Sequence, residues 1–286
     1  MDLEKINFVS RKFFINSEVL EVKKVNIGLV NKTYIVEHFY NGIKSKFILQ
    51  SLSNIFESPQ IVNINHKLVT DHIKLRLNES CSDFDDEKWI VPSLIRCKSN
   101  NLFCFPFDSE YWRAMVFIDR AFSYECLEDE RMAYQTGIGL ARFHSLCSDL
   151  DSSKLENSIK NFHDTRYYLD QYMKAIKDFK FKESDDKVIK RIDSLIKSLS
   201  THFVRIEFLL TSLSQESLDQ NVIHGDPKLS NFLFDYKSKS VISLIDLDTV
   251  TSGFLLTDLA DCIRSICNIA GEDPEEKDDV KFDINF

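Results

Sequence analysis

Runs rich in β-branched and aromatic residues dominate the first 118 positions and predict strands at Val19–Val25 and Lys32–Phe39. Asn41-Gly42, set between the apolar runs Tyr34–Val36 and Phe47–Leu49, predicts a hairpin. A helix is expected to open at Pro59, because apolar residues then recur at Ile61, Ile64, Leu68, Ile73, Leu75 and Leu77. Further strands are expected at Trp89–Ile95, Leu102–Phe105 and Tyr111–Ile118, with an acidic turn at Asp83–Glu87. From about residue 120 the pattern turns helical. Ala133, Leu140, Ala141, His144 and Leu146 fall on or near one face of a helix over Arg131–Leu146. Helices are expected at Thr165–Lys177, Asp186–Thr211 and Asp258–Ile269, with strands Asn231–Phe234 and Ser240–Ile245 between them. The acidic stretch Gly271–Asp279 reads as a loop, and no internal repeat is visible.

Composition narrows the class without naming it. The chain has 286 residues, 43% hydrophobic and 28% charged, which fits a globular protein of one large or two modest domains. The 23 phenylalanines imply aromatic-rich cores, and only 7 glycines leave no extended glycine-rich loop. A net charge of -9 argues against a nonspecific nucleic-acid binder, which normally carries a basic face. The seven cysteines include no C-x-x-C pair, so a zinc site is not expected, and reduced thiols in a cytoplasmic protein are the simplest account. No secretory signal and no apolar stretch of membrane-spanning length stands in the sequence.

The chemistry concentrates in Val222-Ile223-His224-Gly225-Asp226-Pro227-Lys228-Leu229-Ser230-Asn231, with Ile245-Asp246-Leu247-Asp248 further on. Asp, Asn, Gly and Pro are ordinary turn residues, and a lone His224 is more often a structural loop histidine than a catalyst. The spacing says more. The protein-kinase catalytic loop reads H-R-D-x-K-x-x-N, followed by a metal-binding Asp. Asp226, Lys228 and Asn231 keep those intervals, and Asp246 supplies the second carboxylate. Phosphoryl transfer needs a base for the acceptor proton, oxygen ligands for Mg²⁺ on the phosphates, and a cation for the moving charge.

The chain resembles the aminoglycoside phosphotransferase and choline kinase superfamily, and within it the N-acetylhexosamine 1-kinases. The stretches carrying this, besides the loop, are Gly28–Tyr34, Phe47–Gln50, Phe162–Thr165 and Ile245–Val250, with Gly253 and Asp258–Arg264. The resemblance implies an α+β, two-lobed, protein-kinase-like fold, with a β-rich N-terminal lobe over 1–118 and a mainly helical C-terminal lobe over 119–286. It implies an ATP- and Mg²⁺-dependent kinase that phosphorylates the anomeric hydroxyl of an N-acetylhexosamine or related sugar. Another small alcohol (choline, homoserine, an aminoglycoside) is the alternative acceptor, and a non-catalytic nucleotide-binding scaffold is the alternative of a different class. The small-molecule acceptor is the one expected partner, with neither nucleic acid nor membrane.

The roles follow the resemblance. Asp226 is expected as catalytic base, Lys228 on the transferring phosphate, and Asn231 with Asp246 on the metal. Gly28, Asn31 and Thr33 are expected to cover the phosphates, and Phe117 and Ile118 to meet adenine through backbone groups. Gln50 stands where kinases usually carry a phosphate-binding lysine. It either contacts phosphate or is the polar end of a strand, with Lys46 as substitute in a shifted register. Asp248 is expected to hold the loop or touch the acceptor, with the metal as a third alternative. His163 and Asp164 contact the acceptor, or Asp164 caps the next helix. His224, Asp258, Asp261 and Arg264 are supporting residues that brace the catalytic loop. Leu29 replaces a histidine usual near the sugar. The resembled enzymes continue for several more helices beyond the position of Phe286, so the chain reads as truncated or naturally short.

Overall fold

In a computed structural model the described residues are 3–25, 30–79, 88–178, 186–215, 219–272, 274 and 280–283. The expected acidic turn Asp83–Glu87, Gly28, and most of the acidic loop after Glu272 lie outside them. The chain divides into two compact units, residues 1–160 with 220–286, and residues 161–219. The fold is kinase-like and mixed α+β, with an N-terminal sheet followed by a mainly helical region.

The first unit begins with helix α1, Leu3–Phe13, which buries Ile6, Val9 and Phe13. Their spacing of three and four residues places all three on one face. Strands β1 (Glu18–Val25), β2 (Lys32–Tyr40) and β3 (Ile43–Leu52) then form an antiparallel meander. Asn41 and Gly42 both take positive φ at the β2–β3 turn, the backbone that a two-residue hairpin of this twist demands. Helix α2, Pro59–Glu79, follows. Three strands, β4 (Leu94–Ile95), β5 (Phe105–Phe107) and β6 (Glu110–Val116), complete the sheet in the order β1-β2-β3-β6-β4, with β5 also on β6. The α1 side chains pack with Tyr34, Val36, Phe47, Leu49, Trp112 and Ala114 into one core.

The strand expected over Trp89–Ile95 is reduced to β4. Pro92 withholds a ladder donor in its middle, and Ile90 instead donates to the Ile242 carbonyl at 2.7 Å. The strand expected at Leu102–Phe105 begins only at Phe105, after Asn101 turns the chain at positive φ.

Past the sheet come the short strand β7 (Ala121–Phe122) and helix α3 (Glu130–Cys147), whose first turn is capped by Asp129 accepting from the Met132 N–H. In the second unit, α4 (Thr165–Asp178) and α5 (Asp186–Gln215) are joined by an Arg166–Glu207 ion pair at 2.7 Å and by Tyr172 against Phe203. The first unit resumes with β8 (Asn221–Ile223), β9 (Phe232–Asp235), β10 (Val241–Leu244) and β11 (Thr251–Gly253), then α6 (Leu255–Ile266). β9 pairs with β10 and β7, and β8 pairs with β11. Val69 and Ile73 of α2, Leu140 and Phe143 of α3, and Phe232, Leu244 and Leu247 share the second core.

His66 on α2 makes stability acid-sensitive. It is 1% exposed, and its Nε2 donates to the Pro92 carbonyl at 2.6 Å. Burial first, then the Arg113 and Lys74 charges, push its pKa from 6.5 down to about 4, against a weaker upward pull from Pro92 and Asp248. The unfolded chain binds the proton first. The stabilisation is therefore complete above pH 6.5 and is lost as pH falls toward 4, by roughly 3 kcal/mol in total. Urea unfolding between pH 7 and 4 should show this loss, and a His66→Gln variant should flatten it. An unchanged slope in that variant would rule His66 out as its source.

Candidate active site

The residues that carry the expected chemistry lie on two connections of the first unit, the loop between β8 and β9 and the turn between β10 and β11. In the first, β8 runs into the loop His224–Asn231 and out along β9. Gly225 takes φ +84° there, and a Cβ on it would stand 2.6 Å from the Thr249 carbonyl oxygen, so only glycine fits without a shift. His224 is fully buried. Its Nε2 donates to the Ile245 carbonyl at 2.9 Å, which leaves Nδ1 to accept the Asp226 N–H at 3.3 Å. Burial lowers the pKa of this imidazole, and the two bonds fix it as a structural histidine.

Asp258, in the first turn of α6, holds the same loop from beneath. Its Oδ2 accepts the His224 N–H at 2.7 Å and a bond from His144 Nε2 at 2.8 Å, while Oδ1 accepts the Gly225 N–H at 2.8 Å. Burial would raise this carboxyl, but His144, the His224 charge and the two backbone donors outweigh it and hold its pKa low. Ser265 Oγ, one turn of α6 past Asp261, accepts the Leu229 N–H at 3.0 Å. Asp261 and Arg264 do something else. They pair with each other at 2.7 Å, and Arg264 reaches Glu272 at 3.1 Å. These two were expected to brace the loop. Their side chains instead meet each other and Glu272 on the outward part of the helix, and Ser265 supplies the second brace.

In the loop itself Lys228 Nζ lies 2.9 Å from Asp226 Oδ2. Burial pulls the ammonium pKa down, but Asp226 at contact, with Asp246 and Glu272 nearby, raises it above the usual value. The cation is thus fully charged at neutral pH. Asn231 donates from Nδ2 to the Asp226 carbonyl at 2.8 Å, with a longer approach of 3.4 Å to its carboxylate. Its Oδ1 is left as an acceptor. Asp246 opens the turn after β10 in the left-handed region, at φ 64°, a conformation that aspartate tolerates better than most side chains. Burial and the Asp248 charge push its pKa up to about 7, with Arg113 and Lys228 pulling it down.

Lys228, Asn231 and Asp246 line one cavity of about 300 Å³. Asn31, just before β2, and Thr33 and Gln50 of the sheet line it too, as do Phe117 and Ile118, which follow β6. The structure therefore gathers both expected halves of the site around one space, with Asp226 joined to it through Lys228. Among the described residues no hydrogen-bond donor reaches the Asp246 carboxylate or Asn231 Oδ1. Two such oxygen acceptors fit Mg²⁺, which takes only one or two ligands from protein and the rest from phosphate and water. No group of three or more His, Cys, Asp or Glu that could hold a metal occurs among the described residues.

Asp248 was given a loop, acceptor or metal role. It is 3% exposed, its Oδ1 lies 2.5 Å from Arg113 Nη2, and its Oδ2 accepts from Asn31 at 2.7 Å, so its side chain holds the loop. Gln50 donates to Thr33 Oγ1 at 2.9 Å and accepts twice from Arg113, at 2.9 and 2.7 Å. It lines the cavity as an anchored amide. Lys46 pairs with Glu37 at 3.9 Å and is not among the lining residues. His163 and Asp164 belong to the second unit, where Asp164 caps α4 by accepting the Tyr167 N–H at 2.9 Å, the capping alternative. Arg113 was missed. The signal was a charge in the middle of the apolar run Tyr111-Trp112-Arg113-Ala114-Met115-Val116.

Residues 90–278, about two thirds of the chain, match the profile of the phosphotransferase enzyme family (APH). The chain belongs to that family. The phosphotransferase also shares its fold with solved structures of low sequence identity. Spectinomycin phosphotransferase, solved with ADP and spectinomycin, is 13% identical over 92% of this chain and 73% of its own, at a TM-score of 0.56. A choline kinase from Cryptosporidium parvum is 15% identical over 99% and 74%, at 0.57. An aminoglycoside phosphotransferase from Alicyclobacillus acidocaldarius is 14% identical over 89% and 69%, at 0.54. The enzyme is accordingly a phosphotransferase. Among its described residues no helix is long and apolar enough to cross a membrane.

Proposed function

We propose that this phosphotransferase is an ATP- and Mg²⁺-dependent kinase whose acceptor is the anomeric hydroxyl of an N-acetylhexosamine or a closely related sugar, giving a sugar 1-phosphate. The observation that carries the kinase reading is the meeting of Lys228, Asn231 and Asp246 at one cavity, with Asp226 beside Lys228. The sugar rests on the resemblance of the stretches Gly28–Tyr34, Phe162–Thr165 and Ile245–Arg264 to the hexosamine kinases.

In this reading Asp226 orients the acceptor hydroxyl and takes its proton as the new oxygen–phosphorus bond forms and the bond to the ADP oxygen breaks. A carboxylate is a weak base, so it works mainly by position, as phosphoryl transfer requires. Lys228 leaves Asp226 to meet the charge on the moving phosphoryl group. Asn231 Oδ1 and the Asp246 carboxylate hold Mg²⁺, which supplies charge neutralisation on the phosphate oxygens when bound. Asn31, just before β2, and Thr33 on it belong to the segment expected to cover the phosphates, and backbone groups at Phe117 and Ile118 receive the adenine. By the resemblance of Phe162–Thr165, His163 is the proposed acceptor contact.

Mg-ATP should raise the apparent melting temperature with ligand concentration, since binding to the native state alone shifts unfolding. Asp246→Asn should abolish the part of that shift that depends on Mg²⁺. An ADP-release screen across N-acetylglucosamine, N-acetylgalactosamine, other hexoses, choline and homoserine then tests the acceptor. Release with choline or homoserine and none with any sugar would overturn the sugar assignment. No thermal shift and no release with any acceptor would overturn the kinase reading.

A further inference from the structure

Arg113 has no surface in contact with solvent. It stands on β6 between Trp112 and Ala114, and desolvating a guanidinium costs several kcal/mol unless it is paired and hydrogen-bonded. Its Nε and Nη2 both donate to Gln50 Oε1, and Nη2 also meets Asp248 Oδ1. Nη1 finds no partner among the described residues, so even this pairing leaves the burial incompletely compensated. The network then runs outward at both ends. Gln50 donates to Thr33, Asp248 accepts from Asn31, and Asn31 Oδ1 accepts the Ser53 N–H at 3.0 Å.

Arg113 itself is not a lining residue of the cavity, whereas Asn31, Thr33, Gln50 and Asp246 are. Gln50 bonds Arg113 directly, Thr33 is reached through Gln50, and Asn31 through Asp248, which meets Arg113 as an ion pair. Asp246 is two residues from Asp248 and opens the same turn. A network kept for stability alone is poorly explained, because apolar replacements of buried ion pairs are often neutral or stabilising. Its spatial consequence is specific: β2, β3 and β6 are held in fixed relation to the turn that presents Asp246. The strand position that would carry an ammonium in a protein kinase carries Gln50, and the nearest fixed positive charge lies on the neighbouring strand.

We propose that Arg113 is a positioning residue for phosphoryl transfer, which acts through Gln50 and Asp248 to lock the Asn31–Thr33 segment at the start of β2 against the Asp246 turn and whose charge stands in for the missing strand lysine. This rests on the kinase reading above and deepens it.

The test compares wild type with Arg113→Lys, Arg113→Met and Arg113→Met/Asp248→Asn. Three quantities are read for each: the unfolding midpoint without ligand, the Mg-ATP dissociation constant, and ADP release. Arg113→Met alone leaves a buried carboxylate unpaired and should lower the midpoint most. The double variant removes both charges and should recover much of that midpoint. Its Mg-ATP affinity should nevertheless stay roughly 10- to 100-fold weaker than wild type, the usual range for residues that orient a metal site from behind. Arg113→Lys keeps the charge but not the planar fork, and should remain at least about 10-fold weaker. A double variant, or an Arg113→Lys protein if the double does not fold, that binds Mg-ATP and releases ADP like wild type would reduce Arg113 to a structural residue and overturn the proposal. Wild type that binds no Mg-ATP would instead overturn the kinase reading on which it stands.

Discussion

Asp226→Asn is expected to lower turnover by roughly 10²–10⁴-fold, the range for loss of a general base, while Mg-ATP still binds. The two effects separate because of how the loop is held. Asn231 anchors to the Asp226 backbone carbonyl, and His224 receives the Asp226 backbone N–H. Neither bond involves the Asp226 carboxylate, and the asparagine has the same size. The loop therefore keeps its shape, and Asn231 and Asp246 keep their places at the cavity. What disappears is the proton acceptor and the negative partner of Lys228, whose ammonium sits 2.9 Å away. Single-turnover and steady-state ADP release with an accepted sugar would measure the first effect, and calorimetric titration with Mg-ATP the second. A loss of turnover below about threefold would remove Asp226 from the role of base. A loss of nucleotide binding as large as the loss of turnover would mean that the side chain shapes the loop after all.

The parts of this site that were legible in the sequence are those whose partners are close along the chain. Asp226, Lys228 and Asn231 fall within six residues, so their spacing alone places them on one loop. The Asn41-Gly42 turn fixes the β2–β3 register in the same local way, from Tyr40 opposite Ile43 to Lys32 opposite Ser51. Arg113 lies 135 positions from Asp248, and nothing near either residue announces the other. An arginine within an apolar strand signals a buried partner without saying which. Helix α1 carried a readable signal in Ile6, Val9 and Phe13, but eleven residues is short for a helix without its docking surface, and that surface is the distant sheet. The brace from α6 was half legible. Asp258, Asp261 and Arg264 share a helix at intervals of three, yet only the burial of Asp258 and the exposure of Arg264 decide which side chain faces the loop. Spacing gives the face, and the neighbouring element decides what that face does.

That division of labour on α6 has a large expected consequence. Asp258→Ala should destabilise the protein by about 3–5 kcal/mol, the cost of removing one partner from a buried charged network. Three donors lose their acceptor at once: the His224 N–H, the Gly225 N–H and His144 Nε2. Two of them belong to the backbone that carries Asp226, so turnover should fall beyond what the loss of stability explains. Asp261→Ala, which breaks only a pair with the exposed Arg264, should cost at most about 1 kcal/mol, since such a pair contributes little. The pH dependence gives an independent check. The folded-state carboxyl of Asp258 is held below its unfolded value of 3.8, so its contribution is present above that pH and is lost as pH falls through the folded value. The deficit of the alanine variant should therefore be constant between pH 7 and 5 and should narrow only in stronger acid, once the His66 loss common to both proteins is subtracted. Urea midpoints of wild type, Asp258→Ala and Asp261→Ala across that range decide it. Equal midpoints for the two variants would mean that the loop is held by Ser265 and the His224–Ile245 bond without Asp258.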